Sequence, residues 1–341
     1  MTRLGCIAIL VAVAGAHPAA AQQPATLFAA EAPLRIMIAG PVSRIARNAA
    51  DSVAPHPATL TEASGAAHPI RLSARGISRR KGGFCDFPPL RVEFSAPPPA
   101  ASPFAGQHRL KLVTHCQAGE SYHQRVLLEY SAYRLFNLMS PLSFGARLAL
   151  IDYRDDGGRG FSRYGFFIED FDHSAKRNGL SRAASGDRIA ASQLEPRQSA
   201  RVALFQYMIG NLDWSMRAGP QGAGCCHNGR LARAGARFAP VPYDFDHSGL
   251  VDAPYAEPPE GLRVNSVRQR LYRGYCAHNA QLLAAATELR ARRGQAEAIF
   301  ANLPGLESRT QRKALAYLAD FFDDIATDQS VRKKLLADCL N

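Results

Sequence analysis

The chain has 341 residues, of which 47% are hydrophobic and 21% are charged, and its formal net charge is +12. The length suits one large domain or two closely packed lobes, and the positive charge favours anionic partners: a nucleotide, a phosphorylated substrate or an acidic envelope surface. No dense basic run with interleaved aromatic residues occurs, which argues against a nucleic-acid-binding protein.

A secretory signal is predicted over residues 1–21. Arg3 gives a positive start, residues 7–16 form an apolar run too short to span a bilayer, and Ala19 and Ala21 fit a signal-peptidase site. We expect cleavage near Ala21 and export to the periplasm or the medium, with a retained anchor as the alternative. No later segment reaches membrane-spanning length without a charge, so the mature chain is expected to be soluble.

The cysteines that follow the signal are even in number, which favours disulfides in an exported protein. They are Cys85, Cys116, Cys225, Cys226, Cys276 and Cys339. A zinc site is the alternative, although the chain contains no C-x-x-C pair. We expect the adjacent Cys225 and Cys226 to pair with different partners, and the sequence leaves the connectivity open.

Short apolar segments between Pro and Gly residues predict strands in the first part of the chain. They are residues 33–40 (PLRIMIAG), 68–76 (HPIRLSARG), 89–96 (PLRVEFSA) and 108–116 (HRLKLVTHC). Apolar residues then recur at helical spacing over residues 124–139, and Pro141 ends this helix. Two more strands, at residues 146–155 and 163–172, flank a Gly-rich hairpin turn.

From residue 198 onward the pattern is mainly helical. Amphipathic helices are predicted over residues 198–213, 265–294 and 309–328. Residues 238–243 (FAPVPY) look like a strand. This order predicts an α+β, two-lobed architecture with a shared cleft. The boundaries are a signal peptide (1–21), a strand-rich N-terminal lobe with one helix (22–172) and a helical C-terminal lobe (173–341).

The polar residues of these elements occur in an order that phosphoryl transfer requires. Transfer from ATP needs a Lys on the phosphates, often oriented by a helix Glu, an Asp that orients the acceptor hydroxyl, and an Asn and a further Asp on magnesium. Magnesium prefers such hard oxygen ligands. The candidates are Lys111, Glu129, Glu169, Asp213, Asn228, Asp244 and Asp246.

Several segments resemble the spore-coat CotH kinase family of the atypical protein-kinase-like superfamily. Between residues 70 and 276 they are IRLSARGISRR, HRLKLVTHC, RYGFFIEDFD, FQYMIGNLDWS, CCHNGRL and VPYDFDHSGLV. The resemblance implies a two-lobed kinase-like fold that uses ATP with magnesium or manganese.

Each matching position takes a role from this resemblance. Glu169 would end the strand that leads to the hinge facing adenine, and Asp213 in GNLDWS would orient the acceptor hydroxyl. Asn228 would bind the metal. Asp244 and Asp246 in YDFD would do the same, with Asp244 slightly preferred as the main ligand. Lys111 would clamp the phosphates and Glu129 would orient it.

The sequence departs from the kinase pattern in two places. Kinases place the metal Asn about five positions after the catalytic Asp, whereas Asn228 stands 15 positions after Asp213. An inserted loop must therefore separate them, and a disulfide could close it. No G-x-G-x-x-G loop occurs, and the nearest substitute is RGISRRKGG, where Arg79, Arg80 and Lys81 could meet phosphates.

The sequence therefore predicts an exported phosphotransferase that acts on a protein or small-molecule hydroxyl, with protein nucleotidyl transfer as a close variant. One alternative is a catalytically inactive kinase fold kept as an envelope binding or assembly protein, because an exported protein meets little ATP. Another is a glycosyltransferase that binds a metal–sugar nucleotide through Asp244 and Asp246. His115, His227 and His247 are expected to be ordinary hydrogen-bonded histidines.

Overall fold

A computed structural model describes residues 26–81 and 83–341, so the predicted signal peptide lies outside the described residues. The strands are β1 Leu34–Ala39, β2 His56–Glu62, β3 Ala67–Ala74, β4 Leu90–Phe94, β5 Arg109–Val113, β6 Ala146–Arg154, β7 Gly160–Ile168, β8 Ser181–Arg182, β9 Gly229–Ala234 and β10 Arg237–Pro242. The helices are α1 Thr26–Ala29, α2 Val42–Arg47, α3 Ser78–Lys81, α4 Glu120–Met139, α5 Phe171–Arg177, α6 Pro196–Ile209, α7 Asn279–Arg290, α8 Arg293–Ala301, α9 Ser308–Asp324 and α10 Asp328–Lys334. The predicted α+β class is confirmed.

The first seven strands form one closed barrel in the order β1-β2-β3-β4-β5-β7-β6. All neighbours pair antiparallel except β1 and β6, which pair in parallel with Ile36 opposite Ile151 and close the barrel. A separate three-stranded sheet, in the order β10-β9-β8, follows later in the chain. The barrel was not predicted, because strand order and closure depend on pairings between distant segments.

Strand β7 separates two hydrophobic cores. Phe167 belongs to the core inside the barrel, whereas Phe166 and Ile168 belong to the larger core under the helices. Successive side chains of a strand point to opposite faces, so a strand that is buried on both faces reads as a continuous apolar run. The sequence GFFI at the end of β7 is such a run, and it places this strand between barrel and helices.

Helix α4 is the element that joins the barrel to the helical part. Its buried side chains include Val126, Tyr130, Tyr133 and Phe136, and they face both β7 and α6. Glu129 is one of the residues of this helix that are buried between these two elements. Among the described residues, no helix is long and apolar enough to span a membrane.

Most predicted elements are present, with one clear error. The helix predicted over residues 265–294 forms only as α7, Asn279–Arg290. The preceding segment is irregular, and its arginines bind backbone carbonyls of other segments: Arg270 donates to the Met208 carbonyl oxygen and Arg273 donates to the Leu212 carbonyl oxygen.

The disulfides correct a second prediction. Cys225 and Cys226 pair with each other, and the remaining bridges are Cys85–Cys116 and Cys276–Cys339. The expectation that the adjacent cysteines find different partners is therefore wrong. The other four cysteines lie in two pairs with Cα atoms 4.5 Å and 5.0 Å apart, so no further partner remains for either.

Candidate active site

A small cavity of about 60 Å³ lies between the end of the barrel and the loop after β10. Four of the residues predicted from the sequence line it together: Lys111, Glu129, Asp244 and Asp246. They come from β5, α4 and the loop after β10, and so are brought together only by the tertiary fold. Larger cavities elsewhere lack this concentration of predicted site residues.

Lys111 lies in the middle of β5, opposite Arg91 of β4 and Ile168 of β7. Its ammonium is 5.5 Å from the centre of the Tyr243 ring. Burial, followed by the charges of nearby arginines, lowers the pKa of Lys111 to about 8. Among residues 26–81 and 83–341, no carboxylate lies within ion-pair distance of this ammonium, so Glu129 does not pair with it here.

Glu129 instead faces Arg79, whose Nη1 lies 4.0 Å from the Glu129 carboxylate. Both side chains are buried. Burial, and then the charge of Asp246, raise the pKa of Glu129 well above its usual value. Arg79 also donates to the Thr114 carbonyl oxygen, while its buried Nε has no partner among the described atoms. Arg79 is therefore the cation that holds Glu129.

The two aspartates of the YDFD segment are fixed by the residue between them. Phe245 is fully buried, with its ring centre 4.6 Å from that of Tyr133 and 5.0 Å from that of Phe205. Asp244 has a left-handed backbone, with φ of 67°, and its N–H donates to the Tyr133 hydroxyl at 3.1 Å. The chain thus turns so that both carboxylates line the cavity while the phenyl ring anchors the loop.

The environments of the two carboxylates differ. Burial, and then the charge of Asp246, raise the pKa of Asp244 to about 6. Asp246 is 5% exposed and accepts a hydrogen bond from the Tyr255 hydroxyl at 3.0 Å. Asp244, Asp246 and Glu129 therefore line one cavity, and among the described residues Arg79 is their one close ion-pair partner.

Asp213 lies in a second group, just beyond α6. This helix ends at Ile209, and Gly210 takes the left-handed C-cap conformation with φ of 62°. The Asn211 side chain then accepts the Asp213 N–H at 3.0 Å. Trp214 is buried and donates its indole N–H to the Asn211 carbonyl at 2.8 Å. These contacts hold the Asp213 carboxylate, which remains one-third exposed.

Asp213 and Asn228 are in contact although 15 positions separate them in the sequence. Asn228 Nδ2 donates to the Asp213 carboxylate at 2.9 Å and to its carbonyl oxygen at 2.8 Å. The intervening loop returns because Ser215 N–H donates to the His227 carbonyl oxygen and His227 N–H donates to the Ala218 carbonyl oxygen. The predicted inserted loop is present, and the Cys225–Cys226 bridge lies at its end.

His227 is the third member of this group, and the sequence reading treated it as an ordinary histidine. Its Nε2 lies 2.5 Å from Asp213 Oδ1. This hydrogen bond raises the pKa of His227, although burial acts against it. Burial acts to raise the pKa of the Asp213 carboxyl. The hydrogen bond from His227 acts the other way, and the pKa lies below its usual value. The charge of His247 acts to lower the pKa of both Asp213 and Asp244. The group around Asp213 therefore lies near the cavity that holds Asp244.

Glu169 is not part of the cavity lining. Its side chain is 1% exposed, accepts the Gly145 N–H at 2.8 Å and binds the Arg177 guanidinium at 3.1 Å. The neighbouring Ile168 does line the cavity. The Glu169 carboxylate thus ties β7 to the turn before β6 and to α5. Nothing in these contacts favours a role at a ligand.

The residues expected to replace a phosphate loop take different positions. Arg79 is engaged with Glu129, and Arg80 donates to the carbonyl oxygens of Ala49 and Ala50 at 2.7 Å and 2.8 Å. The Lys81 side chain lies outside the described residues. Arg79 nevertheless lines the cavity, and so does Arg75, which was not selected from the sequence.

A metal site of the common kind is not evident within the described part of the chain, where no three His, Cys, Asp or Glu side chains gather for a metal. Magnesium needs few protein ligands, because water and phosphate oxygens complete its shell. Asp244 and Asp246 are suitable donors. Asn228 uses its Nδ2 on Asp213, so its amide oxygen is the atom available to a cation.

Comparisons with known proteins leave the family open. No protein-family model matches the chain. No curated protein sequence matches it either. The site geometry is therefore the basis for any functional conclusion.

Proposed function

We propose that the protein is an exported, kinase-like phosphotransferase that transfers phosphate from a magnesium–nucleotide to a hydroxyl of a protein or small molecule. One observation carries this proposal: a single cavity gathers Lys111 and three carboxylates from distant parts of the chain. Cations for phosphate and carboxylates for magnesium are the parts that phosphoryl transfer requires. ATP is the expected co-substrate, and manganese is an alternative metal.

In this proposal the two site groups have separate tasks. Lys111 binds phosphate oxygens, and Asp244, Asp246 and the Asn228 amide oxygen hold magnesium. The metal, when bound, neutralises charge that develops on the phosphates. Asp213 faces the acceptor and orients its hydroxyl. As the hydroxyl oxygen forms its bond to the terminal phosphorus of the nucleotide, the bond from that phosphorus to the bridging oxygen breaks, the nucleoside diphosphate leaves, and Asp213 takes up the hydroxyl proton. Positioning and charge neutralisation supply most of the catalysis.

The two-lobed kinase-like arrangement is part of the proposal and rests on side chains rather than on topology. A closed seven-stranded barrel is not typical of kinases. However, function depends on the site, and the same chemistry recurs on different frameworks. The contact between Asn228 and Asp213 supports the proposal, because it brings the expected acceptor-orienting and metal-binding residues together despite their unusual spacing.

The proposal is tested by ligand-dependent thermal stabilisation of the mature protein with ATP and magnesium. A ligand that binds only the folded state adds about 2.7 kcal/mol when present at about 100 times its Kd. We expect wild type to be stabilised, Asp244→Asn to lose most of the effect, and the exposed Asp323→Asn to retain it.

Transfer itself is followed with labelled ATP and candidate protein or small-molecule hydroxyl acceptors. Asp213→Asn is expected to bind ATP and to lose transfer. If ATP with magnesium leaves the melting temperature of wild type unchanged, the phosphotransferase proposal is wrong. Stabilisation without any transfer would point to an inactive nucleotide-binding protein.

A further inference from the structure

Two cations lie over one aromatic ring at the edge of the cavity, and a third cation lines the cavity. Lys111 Nζ lies 5.5 Å from the centre of the Tyr243 ring, and the Arg230 guanidinium lies 5.0 Å from the same centre. Arg75 lines the cavity beside them, and its charge lowers the pKa of Lys111. We propose that Arg75, Lys111 and Arg230 form a binding site for an oligophosphate chain. This inference deepens the proposed function and rests on it for the nucleoside.

The barrel places Arg75 and Lys111 on one side of the sheet. Arg75 N–H donates to the Pro89 carbonyl oxygen at 2.8 Å, which continues the β3–β4 ladder one residue beyond β3. The β4–β5 register, with Leu90 opposite Leu112, brings Pro89 next to Val113. Lys111 and Val113 are two residues apart and therefore share a face. Arg75, Pro89, Lys111 and Val113 all line the cavity, so the Arg75 and Lys111 side chains enter it from the same surface.

Arg230 reaches the site from the other part of the chain. It lies at the start of β9, two residues after Asn228, and opposite Val241 of β10. Tyr243 follows β10, and its N–H donates to the Asn228 carbonyl oxygen at 3.1 Å. The hairpin thus holds the ring between Arg230 and the barrel lysine. A cation over an aromatic face is only weakly compensated, so the ring positions these charges without neutralising them.

Within the described residues, none of the three cations has a carboxylate within 4.0 Å. The arginines act to lower the pKa of Lys111, whereas the charges of Asp170 and Asp244 act to raise it. Asp244 also acts to raise the pKa of Arg75. If Asp244 binds magnesium, the metal neutralises its negative charge. The three cations then lie near one another without a carboxylate to compensate them. Gathering like charges in a partly buried place is costly unless an anion completes the site.

The shape of the site favours a phosphate chain over a whole nucleotide as the ligand of the cavity. Drug-sized ligands occupy cavities of about 300–1,000 Å³, whereas this one measures about 60 Å³. Phosphoryl groups fit, and the nucleoside must lie outside. Arginine binds phosphate with two parallel hydrogen bonds, so two arginines and a lysine can hold successive phosphoryl groups.

The test measures the binding of inorganic tripolyphosphate with magnesium by calorimetry, using the full mature protein. The variants are Arg75→Gln and Arg230→Gln, and Arg233→Gln is the matched control because it lies on the same strand, is exposed and faces the Phe238 ring. Circular dichroism and melting curves check that each variant folds. We expect the Kd to rise about tenfold or more in each of the first two variants and to stay unchanged in Arg233→Gln.

The outcomes separate this inference from the proposed function. The oligophosphate site is overturned if Arg75→Gln and Arg230→Gln bind tripolyphosphate with the same Kd as wild type. This holds even if transfer from ATP proceeds with an unchanged KM. An equal loss in Arg233→Gln also overturns it, because general charge would then explain the binding. Selective loss of tripolyphosphate binding in a protein that transfers no phosphate supports the site and rejects the phosphotransferase.

Discussion

At the scale of single residues, three described non-glycine residues, Asn228, Asp244 and Asp252, carry backbone conformations that most side chains avoid. Asn228 and Asp244 both have positive φ, at 49° and 67°. Asn and Asp tolerate the left-handed region better than other residues, yet such conformations persist only where surrounding contacts hold them. Both residues were proposed as metal ligands from the sequence. Their strained backbones lie in the two groups that form the candidate active site.

Phe245 is expected to be the anchor of the aspartate loop. Replacing its fully buried ring by alanine leaves a cavity between Tyr133 and Phe205, so we expect Phe245→Ala to lower the free energy of unfolding by about 3–5 kcal/mol. Phe245→Leu keeps most of the volume and is expected to cost less. Urea denaturation measures both values. A loss below about 1 kcal/mol in the alanine variant would show that the ring does not anchor the loop.

Lys111 predicts a pH dependence of anion binding. Burial, and then the charges of Arg75 and Arg230, lower its pKa to about 8, while Asp170 and Asp244 act in the opposite direction. The ammonium is charged below that pH and neutral above it, so tripolyphosphate affinity is expected to fall as the pH rises through about 8.

A lysine-to-arginine substitution separates this effect from titration of the ligand. Arginine stays protonated throughout the range, so the ratio of wild-type to Lys111→Arg affinity is expected to fall between about pH 7 and about pH 9. Titration calorimetry at both pH values gives the ratio. A constant ratio would mean that Lys111 does not titrate in this range.

At the scale of elements, the end of α6 decides where Asp213 lies. Gly210 caps the helix with φ of 62°, and its backbone is close to Gly249 in the loop after the aspartates. The Gly249 N–H donates to the Gly210 carbonyl oxygen, and Leu250 N–H donates to the Ile209 carbonyl oxygen. The helix end and the aspartate loop are therefore hydrogen-bonded to each other, which brings the two site groups into one neighbourhood.

Gly210→Ala is expected to disturb this helix end. A Cβ there would lie 2.0 Å from the Tyr317 hydroxyl oxygen, in addition to the cost of a positive φ. Gly235→Ala is a matched control, because its φ is 59° and a Cβ would have no atom within 4 Å. We expect Gly235→Ala to cost about 1 kcal/mol and Gly210→Ala clearly more, measured by chemical denaturation. Equal losses would rule out the contact with Tyr317 as a constraint on α6.

At the scale of the whole molecule, the two cores share the strands β5, β7 and β6. These strands present one face to the barrel interior and the other to α4 and the helical core. Lys111 and Glu129 thus lie on two elements, β5 and α4, that pack against the same helical core, although they form no ion pair.

The Cys276–Cys339 bridge ties the end of the chain to this framework. It closes a separation of 63 residues and is flanked by hydrogen bonds between Leu340 and the backbone of Gly274 and Cys276. The chain-entropy estimate for such a loop is ~4 kcal/mol. We expect the double variant Cys276→Ser, Cys339→Ser to lose about that much stability in urea denaturation. An unchanged denaturation midpoint would show that hydrogen bonds and packing alone hold the terminus.

The sequence by itself predicted the local elements and the residue types of the site. Period-2 and period-3.6 patterns and short apolar runs found β1, β3, β4, β5, β6, β7, β10, α4, α6 and α9, since these patterns depend only on which face is buried. The carboxylates of YDFD and the strand lysine were selected because their residue types occur in the order that phosphoryl transfer requires. Short elements without clear periodicity, such as α2 and β2, were missed.

Only the tertiary structure decided how these residues meet. Closure of the barrel through β1 and β6, the Arg79–Glu129 contact and the return of Asn228 to Asp213 all join distant segments. Arg75 and Arg230 could not be distinguished among many scattered arginines, because which arginine reaches the cavity is set by strand register and hairpin position. Local patterns record burial, whereas partners across the chain depend on packing that no short segment specifies.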